Sequence, residues 1–554
     1  MLLFAVALIP LSAQKADASI SFLIVENKVV LQGSNPGVLI LINEELHPKI
    51  KEKLTVFEQD LNIEGYQAIE VTVSGQSSPP EIKDLIKSYY LKGNLKGAIL
   101  VGNIKSAYYE SDTGDFSNPN ALKIWISLDA ADHYYMDIDG SWEHATPDFF
   151  DNAPANIVER NKYPSCDTFK NEYVVYFDKE KKWDYGSITN KEQYRAEIWV
   201  SRIMPHNLNI PGKNEAQIIN DFFDCDHKYR TGEQKVSDKA YILNAIGPGY
   251  NEQGMDYTEI FSSVIKMTDV TKTDFINCLE DPAGSQLIYL TAHSWPQGHS
   301  LYDTSFTTDE LANKKKNSRF YLLNTCSACR WDQYVSSPEN PNYLGGLYVF
   351  DKTEENGDYG LGAIGFTGIG GFNNLKYFTD YLNDDPNGTY GEAYQYWFNK
   401  NLMINFSPSN YVYLGDPIIG PVRTPPELTL FTPEIGELNV TINGVATPYS
   451  NFEITRIGWN WGDGALENSW FPALHTYSSA GNYTILVTAY QSNEQTTTKA
   501  ITIEIKGPPP PPSSSGIPGF PIESILLGIA ISIAALMIHK GRRTNPRRNI
   551  AMTT

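Results

Sequence analysis

Two short apolar runs constrain the fold of this chain more than any other feature. One reads Gln286-Leu-Ile-Tyr-Leu-Thr-Ala-His293-Ser, the other Phe320-Tyr-Leu-Leu-Asn-Thr-Cys326-Ser-Ala-Cys-Arg, and each ends in a reactive side chain. Runs of this length, rich in Leu, Ile and Tyr and bounded by polar residues, read as buried strands of a parallel sheet. Open α/β sheets place their sites beyond the carboxyl ends of the strands. If the two strands are neighbours, His293 and Cys326 stand side by side at that edge, as a thiol nucleophile and a histidine base would. Cys326-Ser-Ala-Cys329 is also a CxxC, so a redox pair, half a zinc site, a structural disulfide and plain buried cysteines stay open beside the dyad.

The flanking sequence repeats the pattern. Over 19–234, strands are expected at 37–43, 68–73, 97–102 and 197–202, with helices at 44–61, 80–90 and 214–229. Over 235–423, strands are expected at 240–246, 287–291, 321–325 and 363–367. Alternating strands and helices imply βαβ units and a largely parallel sheet. The glycines in Gly365-Phe-Thr-Gly-Ile-Gly-Gly371 are not followed by Gly-Lys-Ser/Thr, so they indicate close backbone approach rather than a phosphate loop. A chain of 554 residues exceeds what one core supports, so several domains are expected.

Near Thr424-Pro-Pro the pattern becomes purely β, and 427–506 carries short alternating runs around Trp459-Asn-Trp-Gly-Asp-Gly464 and His475-Thr-Tyr477. Strands of this kind suggest an immunoglobulin-like sandwich. The Trp-x-x-Gly-Asp-Gly turn and the following His-x-Tyr segment resemble the PKD domain, which implies a spacer or binding module without chemistry of its own.

The two ends read as targeting segments. Residues 1–18 have an apolar core and an Ala-Asp-Ala end, as a secretory signal does. Residues 507–519 are a Pro-rich linker of extended polyproline type, 520–539 an apolar transmembrane anchor, and 540–554 a basic tail whose Lys540, Arg542, Arg543, Arg547 and Arg548 place the C-terminus inside. Together they predict an exported protein anchored at the cell surface. The formal net charge of −21 argues against nucleic acid as a partner, because phosphate binding needs a clustered basic face. The odd count of five cysteines leaves at least one thiol unpaired in an exported protein. Asp132, Asp137 and Asp139, closely spaced before Gly140, suit a structural calcium or a solvated turn.

The string from Ser285 to Trp331 resembles the gingipain-type cysteine peptidases of the caspase-like clan. Ala292-His293-Ser294 and Thr325-Cys326 occupy the places of that family's histidine and cysteine. Asp132-His-Tyr-Tyr135, Ser201-Arg202-Ile203, Gly391-Glu-Ala393 and Leu414-Gly-Asp-Pro417 match further motifs, over roughly 36–420. The resemblance implies an α/β fold of two caspase-like α/β/α subdomains (19–234 and 235–423) followed by the immunoglobulin-like domain. It implies peptide-bond hydrolysis without a cofactor for the chemistry, with protein or peptide substrates. Cys326 would be the nucleophile, His293 the acid/base, and the backbone N–H groups of Ser294 and Cys326 the oxyanion donors. Ser294 replaces the family's glycine. Asp256 stands where arginine-cleaving relatives keep a specificity acid, although a helix N-terminal acid is the plainer reading. His299 reads as a surface histidine. A second functional reading, a non-catalytic surface adhesin or S-layer-type protein on a peptidase scaffold, remains open.

Overall fold

The computed structural model describes residues 35–507 except 116–121, 152, 182–187, 189, 248–253, 258–259, 333–338, 353–359, 403–409, 423–424, 449–452 and 493–494. The expected signal, span and basic tail lie outside the described residues, as does the linker beyond Gly507. Among the described residues no helix is long and apolar enough to cross a membrane. The chain forms two compact units that divide first between Pro425 and Pro426.

The first unit is built on a ten-stranded sheet. Its strands are β1 (Gly37–Asn43), β2 (Gln67–Val73), β3 (Leu95–Val101), β4 (Trp199–Ile203), β5 (Lys239–Asn244), β6 (Ser263–Thr268), β7 (Ser285–Thr291), β8 (Ser318–Asn324), β9 (Gly362–Phe366) and β10 (Tyr411–Gly415). In space they run β6-β5-β7-β8-β9-β10-β4-β3-β1-β2. β1, β4, β7, β8, β9 and β10 are buried at every position, as strands covered on both faces must be. Neighbours pair in parallel except β9 and β10, which are antiparallel. The sheet is therefore two parallel halves of opposite direction, continuous across the boundary at 234–235. Where β10 ends beside β9, Gly415 sits at φ +94°, and a Cβ there would lie 2.1 Å from the Leu361 carbonyl oxygen.

The strands read from the sequence form within a few residues of their expected bounds. Two were not foreseen: β6, an edge strand with largely exposed positions, and β10. Nor was a second sheet of five strands, ordered Glu143–His144, Val174–Tyr176, Tyr108–Asp115, Leu122–Ala130 and Ile157–Lys162.

Buried ion pairs bind these pieces together. Arg202 at the end of β4 donates through Nε and Nη2 to Asp132 at 2.7–3.0 Å and through Nη1 to the Ile104 carbonyl at 2.7 Å. Both partners are fully buried. The guanidinium also lies 4.9 Å from the Trp331 ring centroid, just past the Cys326 turn. Arg230, on helix Glu215–Arg230, pairs with Asp226, Glu64 and Asp416.

The second unit holds a four-stranded sheet, Leu466–Asn468, Ile454–Asn460, Gly481–Gln491 and Thr496–Ile505 in spatial order, with a three-stranded and a two-stranded sheet. Its core contains Trp459, Trp461, Tyr477, Ile485 and Val487. The turn motif closes on itself: His475 Nε2 meets Asp463 Oδ2 at 2.8 Å, His475 stacks on Trp461, and Tyr477 donates to the Trp461 carbonyl at 2.9 Å.

Removing one member of a buried ion pair leaves an uncompensated charge, at a cost of about 3–5 kcal/mol. Arg202→Leu and Asp132→Asn should each lower the stability of the first unit by about that much in denaturant titrations. A loss below about 1 kcal/mol would contradict the role given to this pair.

Candidate active site

β7 and β8 pair in parallel at one constant offset, from Ser285 with Ser318 to Thr291 with Asn324. That offset is 324 − 291 = 33, and His293 and Cys326 are separated by the same 326 − 293 = 33. Each therefore leaves its strand two residues past the last paired position, on adjacent strands, at the carboxyl edge. His293 is exposed, and Cys326 is half-buried. The hydrogen bond of the Cys326 thiol goes to the Gly370 carbonyl, at 3.6 Å, so the glycine-rich loop after β9 is the backbone that approaches the sulfur.

The chain turns sharply after Cys326. Ser327 adopts φ +54°, a left-handed conformation costing a non-glycine residue roughly 1–2 kcal/mol. Bonds to the β9 segment hold it there: Ser327 N–H donates to Gly368 O at 2.7 Å and Cys329 N–H to Phe366 O at 2.9 Å. Arg330 completes the turn, donating to Asp129 Oδ1 (2.9 Å), Leu128 O (2.8 Å) and Thr367 O (3.1 Å). The five-stranded sheet thus grips the loop that carries the thiol.

A cleft of about 440 Å³ opens at this point, lined by Cys326, Ser327, Ser294, Arg330, Trp295, Pro296, Ile369 and the segment Tyr163, Pro164, Ser165 and Phe169. The Tyr163 phenol is held above its ordinary range, first by burial and also by the nearby Cys326. His293 is not among the lining residues, whereas its neighbour Ser294 is.

His299 corrects the sequence reading. It is a fully buried residue, not a surface one. Its Nδ1 lies 2.7 Å from Ser294 Oγ and its Nε2 3.0 Å from the Tyr348 hydroxyl. Burial pushes it down to about 3, so at neutral pH the ring is neutral and either tautomer donates through one nitrogen and accepts through the other. The Ser294 hydroxyl, the group a glycine would lack, is fixed against the core by this bond. Cys329 is fully buried, and burial pushes its thiol well up, which leaves Cys326 as the thiol that meets the cleft. None of the five cysteines forms a disulfide.

The acidic segment divides. Asp137 and Asp139 come together with Glu197, their oxygens within 4.8 Å of one another, while Asp132 is taken by Arg202. Asp137 already accepts from Gly140 N–H (2.6 Å) and Trp142 Nε1 (2.8 Å), and burial pushes it up to about 7. The buried Lys83 lies close enough to affect its charge. Asp256 is exposed and is not among the lining residues of the cleft; its N–H donates to Thr379 Oγ1 at 3.1 Å, and its carbonyl accepts from Asn383.

Sequence reasoning missed Tyr163, Phe169, Ile369 and Asp129, which arrive from loops and a sheet distant in the chain, and also Arg330, four residues past Cys326. Trp295-Pro296, immediately after the histidine, was the available signal.

Between about pH 6.5 and about 3 the unfolded chain protonates His299 while the folded chain does not. Stability from this group is therefore complete above that window and falls as pH drops through it, by about 1.4 kcal/mol per pH unit. His299→Gln should flatten the pH dependence of the unfolding free energy between pH ~6.5 and ~4 by one proton relative to the parent. Parallel slopes would show that His299 is protonated in the folded state.

Residues 33–421 match the family model described as Peptidase family C25. No curated protein matches significantly. Among solved structures, the Arg-specific cysteine proteinase gingipain R (RgpB) is similar at 14% identity, covering 85% of this chain and 98% of that one, with a TM-score of 0.46. The complex of Porphyromonas gingivalis RgpB pro- and mature domains matches at 13% identity over 84% of this chain and 99% of that one, with a TM-score of 0.44. The PKD1 domain of the Vibrio cholerae metalloprotease PrtV matches at 19% identity over 15% of this chain and 99% of that one, with a TM-score of 0.14. With the family model extending over most of its length, the chain belongs to peptidase family C25, the gingipain family of cysteine peptidases.

Proposed function

We propose that this peptidase is a surface-anchored endopeptidase in which Cys326 is the nucleophile and His293 the acid/base. The observation that carries the assignment is their common position, two residues past the paired Thr291 and Asn324 on adjacent parallel strands. His293 takes the thiol proton as sulfur attacks the scissile carbonyl carbon. The N–H groups of Cys326 and Ser294 receive the oxygen as it gains charge. The C–N bond then breaks, His293 returns its proton to the leaving amine, and a thioester remains on Cys326. Water, activated by the same imidazole, attacks the thioester and releases the carboxylate with the thiol restored.

Export through the signal at 1–18 and tethering through 520–539 belong to this proposal and rest on the sequence. So do the division into two caspase-like subdomains and the PKD identity of 427–506. A structural calcium belongs to it as well, held by Asp137, Asp139 and Glu197, whose clustered carboxylate oxygens suit a hard cation. Asp132, withdrawn into its bond with Arg202, takes no part.

A thiol-reactive peptidyl probe tests the assignment on the full chain. Cys326→Ala should abolish labelling and reduce peptide cleavage by at least about 10³-fold, while Cys329→Ala should leave both measurable. Labelling that survives Cys326→Ala would assign the nucleophile elsewhere.

A further inference from the structure

The cleft at Cys326 is lined by apolar and aromatic residues together with Ser165, Ser294, Ser327, Arg330 and the cysteine itself. Tyr163, Pro164, Phe169, Trp295, Pro296 and Ile369 supply apolar and aromatic surface, and among the described residues its lining contains no carboxylate. Its charged member, Arg330, is already engaged by Asp129, by two backbone carbonyls and by Asp332 at 3.0 Å. Asp129 is fully buried and already accepts from Arg330, Ser111 and Ser127. A cationic side chain entering the cleft would lose its water and find no counter-charge, a costly transfer. An apolar side chain loses nothing there and buries surface at about 25 cal/mol per Å².

The aromatic walls are also fixed before any ligand arrives. The Trp295 ring lies on the backbone of Gly298, where a Cβ would stand 2.5 Å from it. Phe169 stacks on Tyr108 with centroids 4.7 Å apart. Tyr163 packs against Trp125 at 5.1 Å. Walls held in place in this way need no ordering when they bind, which favours a rigid aromatic partner.

We propose that this cleft is the specificity pocket for the residue that supplies the scissile carbonyl, and that it selects aromatic and large apolar side chains and rejects arginine and lysine. The inference rests on the peptidase assignment of Cys326. It places selectivity on Phe169 and Trp295, and not on Asp256, which lies outside the lining.

The test compares the labelling rate of the full chain by peptidyl ketone probes that differ only in their terminal residue: Phe, Leu, Gly, Arg or Lys. Phe and Leu probes should react at least about 100-fold faster than Arg and Lys probes, the scale on which hydrophobic pockets discriminate. Trp295→Ala should lower the ratio of Phe-probe to Gly-probe labelling by about 10-fold or more, and an unchanged ratio would show that the ring takes no part in selection. Phe169→Asp, where it folds, should move the preference toward Arg; where it does not fold, the Trp295→Ala ratio decides. Faster Arg or Lys labelling that depends on Cys326 would overturn the specificity and leave the peptidase assignment standing. Failure of every probe to label Cys326 would overturn both.

Discussion

The in-register pairing of β7 with β8 is the constraint on which the rest of this structure depends. One offset along both strands sets buried residue beside buried residue from Ser285 to Thr291, and carried two residues further it brings His293 and Cys326 to a common edge. A slip of one residue would turn every side chain of a strand to the opposite face. It would turn Leu287 or Tyr321 into the wrong covering layer and break the alignment of histidine with thiol in the same step. Burial of the strands and alignment of the dyad are thus one requirement.

Around that edge the site draws on both halves of the first unit. The cysteine turn is held by Arg330 on Asp129, from the five-stranded sheet. The next residue, Trp331, lies over the guanidinium that Asp132 secures at the end of β4. Two walls of the cleft, Tyr163 and Phe169, come from the same N-terminal segment. The N-terminal half is therefore part of the site, since it positions the loop of Cys326 and supplies two walls of the cleft. His299 does comparable work from below, with its neutral ring spanning Ser294 and Tyr348.

The sequence was legible where local composition alone determines structure. Seven-residue apolar runs such as Gly37–Asn43 and Ser285–Thr291 are fully buried strands, and periodicity suffices to find them. β6 and the five-stranded sheet were not found, because Ser-Val-Ile-Lys-Met-Thr and Tyr-Tyr-Glu-Ser-Asp-Thr-Gly-Asp carry polar residues that only long-range pairing makes into strands. The juxtaposition of His293 and Cys326 was legible because each residue ends a run. The cleft was not, because its walls arrive from positions more than a hundred residues apart along the chain. His299 was misread for a related reason: nothing local reveals that Tyr348, 49 positions away, completes its hydrogen bonding.

The central claim is that His293 and Cys326 act as one unit, and a double-mutant cycle on kcat/KM addresses it directly. Residues that share one proton transfer are strongly non-additive. Cys326→Ala, His293→Ala and the double variant should therefore fall to the same residual rate, within about 3-fold of one another. Losses that multiply across the cycle, or a His293→Ala enzyme that keeps most of its activity, would contradict the account.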